Sequence, residues 1–301
     1  MSLFPIQHQS LYDLYIKQMQ SMWVVDEVDL SGDKIDSIGK REMHVLRRVL
    51  AFFAAADSIV CDNLMTRFYI DIPFKESRHF LSLQAGMETV HSLMYSLLID
   101  TLGGDEKASL YTAVDDFPAI KAKADYARRY MDDRIPLSER VIAFGCVEGI
   151  MFSASFAIIF WFKARGKLHG LVQSNELIAR DEALHLLHAA EMYKLMPRVD
   201  ESRVFRIVED AVSTEIKFIE TECLDEPIIG LSALSMANYV RYVADYVLTL
   251  FGYNKLYFIG NPLAYMDLIG MQQKTNFFET RVSEYKMGGL GDRVIDMDAD
   301  F

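Results

Sequence analysis

The stretch ARDEALHLLHAAEMY, residues 179–193, decides how this chain is read. Its Ala, Leu and Met content predicts a helix, yet Asp181, Glu182 and His185 stand inside the otherwise apolar run. Glu182 and His185 are three positions apart and so share one helix face. A carboxylate and an imidazole packed among aliphatic side chains are costly to desolvate unless an opposite charge meets them. The same spacing recurs in METVHSLMY, residues 87–95, at Glu88 and His91, again within an apolar helical pattern. Two further acids stand alone in apolar helical stretches: Asp57 in LAFFAAADSIVC, residues 50–61, and Glu148 in VIAFGCVEGIMFSASFAIIFWF, residues 141–162.

Taken singly, each of these features is ordinary. A Glu-x-x-His pair occurs by chance on solvated helix faces, and Glu148 alone fits a core acid paired with Arg. The conjunction carries the inference, because two Glu-x-x-His helices plus one carboxylate from each of two others form the ligand set of a di-iron or di-manganese bundle. Two cations remove the cost of burying four carboxylates. Oxygen and imidazole donors suit iron or manganese, whereas zinc sites more often show Cys or close His pairs. His188 falls one position past the turn that carries His185, and His8, His44, His79 and His169 sit in polar or loop contexts, so these histidines are left outside the ligand set.

The rest of the sequence agrees with an all-α domain. Helical periodicity fills residues 10–22, 37–69, 77–102, 115–133, 137–165, 171–196, 201–222 and 231–258, with breaks at Pro73, Gly103, Pro136, Pro197 and Pro227. From Arg281 the sequence RVSEYKMGGLGDRVIDMDADF loses that periodicity, so the expected organisation is a helical domain over 1–280 and a flexible tail over 281–301. With 301 residues, 51% of them hydrophobic, a large core is available. The net charge of −12 and the lack of a basic block argue against a nucleic-acid partner. Residues 141–162 are long enough to span a bilayer, but Glu148 argues against it and no second such segment is evident, so no membrane partner is expected and a buried central helix is preferred to a single span. Three dispersed cysteines and an N-terminus without a signal-peptide pattern lead to a cytoplasmic expectation.

The order of Asp57, ETVHSLMY, VEGIMFSASF and SNELIARDEALH resembles the small, radical-generating subunit of class I ribonucleotide reductase, through most of the sequence and into the tail. The resemblance implies a ferritin-like helical bundle with extra helices. It implies one metal held by Asp57, Glu88 and His91 and another by Glu148, Glu182 and His185, with Glu88 bridging and Glu182 able to bridge in the reduced state. Two iron ions are expected, with manganese or a mixed pair served by the same ligand types, and dioxygen as co-substrate. Tyr95 follows His91 by four residues and Glu88 by seven, which puts it on the ligand-bearing face; in the family pattern this position holds the stable tyrosyl radical.

The same resemblance makes Asp181 the link between His91 and Trp23, a residue within SMWVVDEVDLSGD, and makes Tyr285, in FFETRVSEYKMGG, the mobile relay tyrosine. Phe152, Phe156 and Ile178 match an apolar pocket around the radical. The acidic end DMDADF matches the segment that captures a separate large subunit, where ribonucleotides are reduced to deoxyribonucleotides, and a homodimer is expected. Two other readings compete: another dimetal-carboxylate oxidase or ferritin-like protein, which needs the carboxylates without the Trp23 relay or the tail, and a metal-free helical or membrane-anchored scaffold.

Overall fold

The computed structural model describes residues 2–33, 35–226 and 228–266. Eight main helices form the body: α1 Gln9–Gln20, α2 Lys40–Asp71, α3 Lys75–Leu102, α4 Pro118–Arg129, α5 Leu137–Ala164, α6 His169–Tyr193, α7 Glu201–Phe218 and α8 Ala233–Leu250. No strand occurs among the described residues, where an isolated bridge joins Ile228 and Leu231. The protein is thus an all-α bundle. Helices α2, α3, α5 and α6 carry the six expected ligands, and α1 lies across α3 and α6.

Local chemistry explains most helix ends. Pro118 begins α4, where its missing N–H costs nothing and its fixed φ suits the first turn. That start splits the helix expected over 115–133, leaving a short Ala113–Asp116 turn before it. Ser232 caps α8 through a 3.1 Å bond from the Ser235 amide. The helix expected to run to 258 ends at Leu250, because Gly252 takes a φ of 77° and Asp245 collects the Leu256, Tyr257 and Phe258 amides at 2.7–2.9 Å. The start of α6 is capped from afar: Asp33 accepts from the Gly170 and Leu171 amides at 2.9 and 2.8 Å. Only glycine fits at 170, since a Cβ there would lie 2.5 Å from the Asp29 carbonyl oxygen.

Two helices, α2 and α5, are long and apolar enough to cross a membrane by length and composition, which corrects the expectation that residues 141–162 had no counterpart. The core accounts for α5, whose most apolar window is 94% buried inside the protein. It runs through the middle of the bundle and is not regular: a π turn, Val147–Met151, interrupts it and carries Glu148. Similar π turns occur at Leu64–Phe68 in α2 and at Ile219–Cys223 after α7. The boundary expected at residue 280 lies outside the described residues.

Close packing of α5 yields a test of opposite signs at two helix glycines. A Cβ at Gly145 would lie 2.6 Å from the rigid Phe251 ring, whereas one at Gly86 on α3 meets nothing within 4 Å. Gly145→Ala should therefore destabilise by about 1–3 kcal/mol through overpacking. Gly86→Ala should stabilise by about 0.5–1 kcal/mol through helix propensity. Chemical denaturation of the two variants checks both, and equal effects would contradict this account of α5.

Candidate metal centre

The structure brings Glu88, Glu148, Glu182 and His185 together from α3, α5 and α6, with one ligand atom from each lying within 4.8 Å of the others. All are buried, and His91 and Asp57 flank the group in equally dry positions. The two middle carboxylates face both imidazoles. His91 Nδ1 lies 3.5 Å from Glu88 Oε2 and 3.1 Å from Glu182 Oε1. His185 Nδ1 lies 3.3 Å from Glu88 Oε1 and 3.0 Å from Glu182 Oε2. Each carboxylate therefore offers one oxygen toward each ring.

Electrostatics marks the cluster as under-neutralised. Burial pushes the Asp57, Glu88 and Glu148 carboxyls upward, and mutual repulsion among the acids pushes them further. Burial acts in the same direction on Glu182, but His185 and His91 outweigh it and hold this carboxyl below its usual range. Burial alone would lower the His91 and His185 pKa values; carboxylates raise both instead, chiefly Asp181 and Glu182 for His91 and Glu182 for His185.

The donors fit metal ions. Asp57 Oδ2, both Glu88 oxygens, His91 Nδ1, Glu148 Oε2 and Glu182 Oε1 are buried without a hydrogen-bond partner. Buried polar atoms are rarely left so. Six orphaned atoms on five of the proposed ligands, all oxygen or imidazole nitrogen, are the donor set that iron or manganese accepts.

An outer set of bonds orients the inner one. Asp181 Oδ2 accepts from Trp23 Nε1 at 2.8 Å and lies 3.2 Å from His91 Nε2, which leaves Nδ1 aimed at the carboxylates. The Trp23 and His91 rings stack with centroids 6.0 Å apart, and Arg180 holds Asp181 Oδ1. Gln84 donates to Glu148 Oε1 at 3.0 Å, and Gln18 lies 3.4 Å from His185 Nε2.

Tyr95 is fully buried, and its hydroxyl donates to Asn175 Oδ1 at 2.8 Å. Burial raises its pKa well above the ordinary phenol range, and the nearby charges of Asp57, Glu182 and Glu88 raise it further. Phe53 stacks on the Tyr95 ring at 4.6 Å, and Phe152 and Phe156 pack against Phe53.

Nine of the ten expected site residues are thus gathered here, while Tyr285 lies outside the described residues. Sequence reasoning missed Asn175, Phe53, Gln84 and Gln18. Gln84 stands one turn before Glu88 on the same face and was findable. Gln18 is 167 residues from its partner, and no local pattern marks it. His188, set aside on spacing, is buried: it stacks on Phe80 at 3.8 Å and meets Ser77 Oγ at 3.1 Å, and burial lowers its pKa to about 3.

The family model described as ribonucleotide reductase, small chain, matches residues 1–262. This protein belongs to that family. The small chain of ribonucleoside-diphosphate reductase from Variola virus is 44% identical over 99% of this sequence and 96% of its own length. Its counterpart from Nicotiana tabacum is 44% identical over 96% of this sequence and 89% of its own length. A ribonucleotide reductase homodimer structure from Saccharomyces cerevisiae superposes with a TM-score of 0.82 at 24% identity, covering 92% of the present structure and 90% of the yeast one, which confirms the fold. Membership makes the protein a component of a ribonucleoside-diphosphate reductase, an oxidoreductase, and explains why a ferritin-like bundle carries this buried carboxylate cluster.

The charge imbalance predicts how metal and pH act on stability. Asp57, Glu88, Glu148, His91 and His185 hold protons more tightly folded than unfolded. Their contribution to metal-free stability is present below their unfolded pKa values and fades as pH rises through the folded ones; Glu182 alone opposes this. Metal replaces those protons. The rise in Tm on adding manganese(II) to chelator-stripped protein should accordingly grow between about pH 5.5 and about pH 8. A rise independent of pH would count against this protonation pattern.

Proposed function

We propose that this protein generates and stores a tyrosyl radical at Tyr95, which a separate large subunit uses to reduce ribonucleotides. The observation that carries the reading is the pair of carboxylates, Glu88 and Glu182, each set between the His91 and His185 rings beside a phenol sealed from water. Asp57, Glu88 and His91 would hold one metal, and Glu148, Glu182 and His185 the other. Two iron ions there, or manganese with the same donors, would supply the oxidising power drawn from dioxygen.

The protein's own residues determine what is oxidised and how it is kept. Phenolate is strongly disfavoured at Tyr95, so its proton and electron leave together. Asn175 orients the hydroxyl but, as an amide oxygen acceptor, does not retain the proton. Among the nearby carboxylates, Asp57 raises the Tyr95 pKa most, ahead of Glu182 and Glu88. Phe53, Phe152 and Phe156 exclude water and reductants from the oxidised ring. Trp23, bonded to the Asp181 carboxylate that also meets His91, would relay an electron to and from the metal centre.

The remaining parts of the reading concern assembly. Tyr285 would continue the relay, and the tail 281–301, ending in DMDADF, would dock on the large subunit as a segment that orders on binding. Homodimerisation is supported by the yeast structure, described as a homodimer. A cytoplasmic setting agrees with Cys61, Cys146 and Cys223, all free thiols.

Electron paramagnetic resonance after ferrous iron and oxygen are added tests the radical. A persistent tyrosyl signal is expected from the unaltered protein and none from Tyr95→Phe, which should still bind about two metals because its volume barely changes. The same signal in both proteins would remove Tyr95 from the mechanism. Docking is tested separately. Deleting residues 295–301 should leave metal loading and radical yield intact while abolishing association with the large subunit, and Tyr285→Phe should bind but not support reduction. Normal ribonucleotide reduction by the truncated protein would show that docking lies elsewhere.

A further inference from the structure

Lys123 on α4 and Glu215 on α7 form an ion pair that belongs to neither the ligand set nor the Trp23 route. Lys123 is 2% exposed and Glu215 is fully buried, with Nζ 2.5 Å from Oε2. The ammonium lies 3.1 Å from the Phe52 ring centroid and 4.3 Å from that of Phe218. Such a pair contributes little to stability, because desolvating both charges offsets their attraction. Its second set of contacts distinguishes it. Lys123 Nζ donates at 2.7 Å to the carbonyl oxygen of Met151, the last residue of the π turn that carries Glu148. Helix α7, which carries Glu215, packs against the same turn. The pair therefore holds α5 at the last residue of the π turn, next to the point where regular helix resumes at Ser153.

A π turn holds one residue more than a regular helix would place there, and it persists only where its surroundings hold it. Slipping the register by one residue rotates a side chain by about 100° around the helix axis. For Glu148 that rotation would turn the carboxylate away from Glu88, Glu182 and His185. A small cavity lined by Phe52, Lys123, Val147, Met151 and Phe152 flanks the turn and leaves it room to shift.

We propose that Lys123 and Glu215 are positioning residues that clamp the exit of this π turn and so set where the Glu148 carboxylate stands in the metal centre. The inference rests on the reading of that centre as a dimetal site. It assigns to α4 and α7, which carry no ligand, control over one of the two metal positions. Asp57 lies on α2, which Lys123 meets through the Phe52 ring five residues away, whereas the hydrogen bond of the clamp goes to α5.

The test is the double substitution Lys123→Met with Glu215→Leu, which removes both charges at similar volume and leaves no lone buried ion. Three readings are taken on the full-length protein: amide hydrogen exchange in its metal-free form, ferrous iron binding, and the Mössbauer spectrum of the anaerobically loaded form. Exchange at residues 147–154 should rise about tenfold against the remaining helices, and one iron should bind about tenfold more weakly, as outer-layer substitutions do. One iron environment should change in the spectrum while the other is kept. Glu215→Gln, which retains the Lys123 bond to Met151, should move the same readings in the same direction by less, and it serves alone if the double variant does not fold. Unchanged exchange with two unaltered iron environments overturns the clamp, as does a uniform loss of protection across all helices. If the unaltered protein binds no iron, the dimetal reading fails, and the exchange measurement still decides whether the pair holds the turn.

Discussion

Four carboxylates withdrawn from water into the middle of a helical bundle constrain everything around them. Asp57, Glu88, Glu148 and Glu182 are nearly or fully buried, and the ionic partners that Glu88 and Glu182 meet are the two imidazoles. Two histidines do not neutralise four acids, so the pKa values split: three carboxyls are driven up and one down. A protein interior sustains that imbalance only where cations enter or protons are retained. The fold is organised to deliver these groups to one place, with α2, α3, α5 and α6 each contributing at the level of the site.

Around that charge, a second layer of bonds controls direction. Asp181 engages Trp23 and His91 with one oxygen, so the imidazole presents Nδ1 to the carboxylates and Nε2 to Asp181. Asn175 does the equivalent for Tyr95 by fixing the hydroxyl, and the stacked Phe53 fixes the ring. These contacts fix the His91 imidazole and the Tyr95 ring and hydroxyl beside the carboxylate cluster. The oxidisable groups, Tyr95 and Trp23, are both buried and each is held by a single hydrogen bond of 2.8 Å. The irregular turn in α5 belongs to the same design, since it sets the direction of Glu148 from a helix whose other positions are occupied by core packing.

Much of this was legible in the sequence, for a definable reason. Glu-x-x-His at 88–91 and 182–185 is a local spacing, and a local spacing on a helix is already a geometry. Asp57 and Glu148 stood out because an acid within an apolar helix is energetically anomalous wherever the helix packs. The helix pattern itself follows from periodicity, and the class of metal follows from the donor types. What local pattern alone could not convey was partnership between distant segments, and the resemblance to a family supplied that for Trp23 and Asp181.

Only the tertiary structure decided the rest. Gln18 reaching His185, Asn175 receiving the Tyr95 hydroxyl, and Asp33 capping α6 are contacts between residues far apart in sequence, chosen by how helices cross and not by propensity. The π turn at Val147–Met151 is equally invisible in composition, because VEGIM reads as ordinary helix. His188 stays off the ligand face, as its spacing indicated, but that spacing could not reveal that it packs on Phe80 and meets Ser77. The sequence by itself determined which groups had to be brought together and what they could bind, since that depends on chemistry and local period. The folded structure decided how each group is aimed, because aim depends on packing between helices that the one-dimensional pattern does not contain.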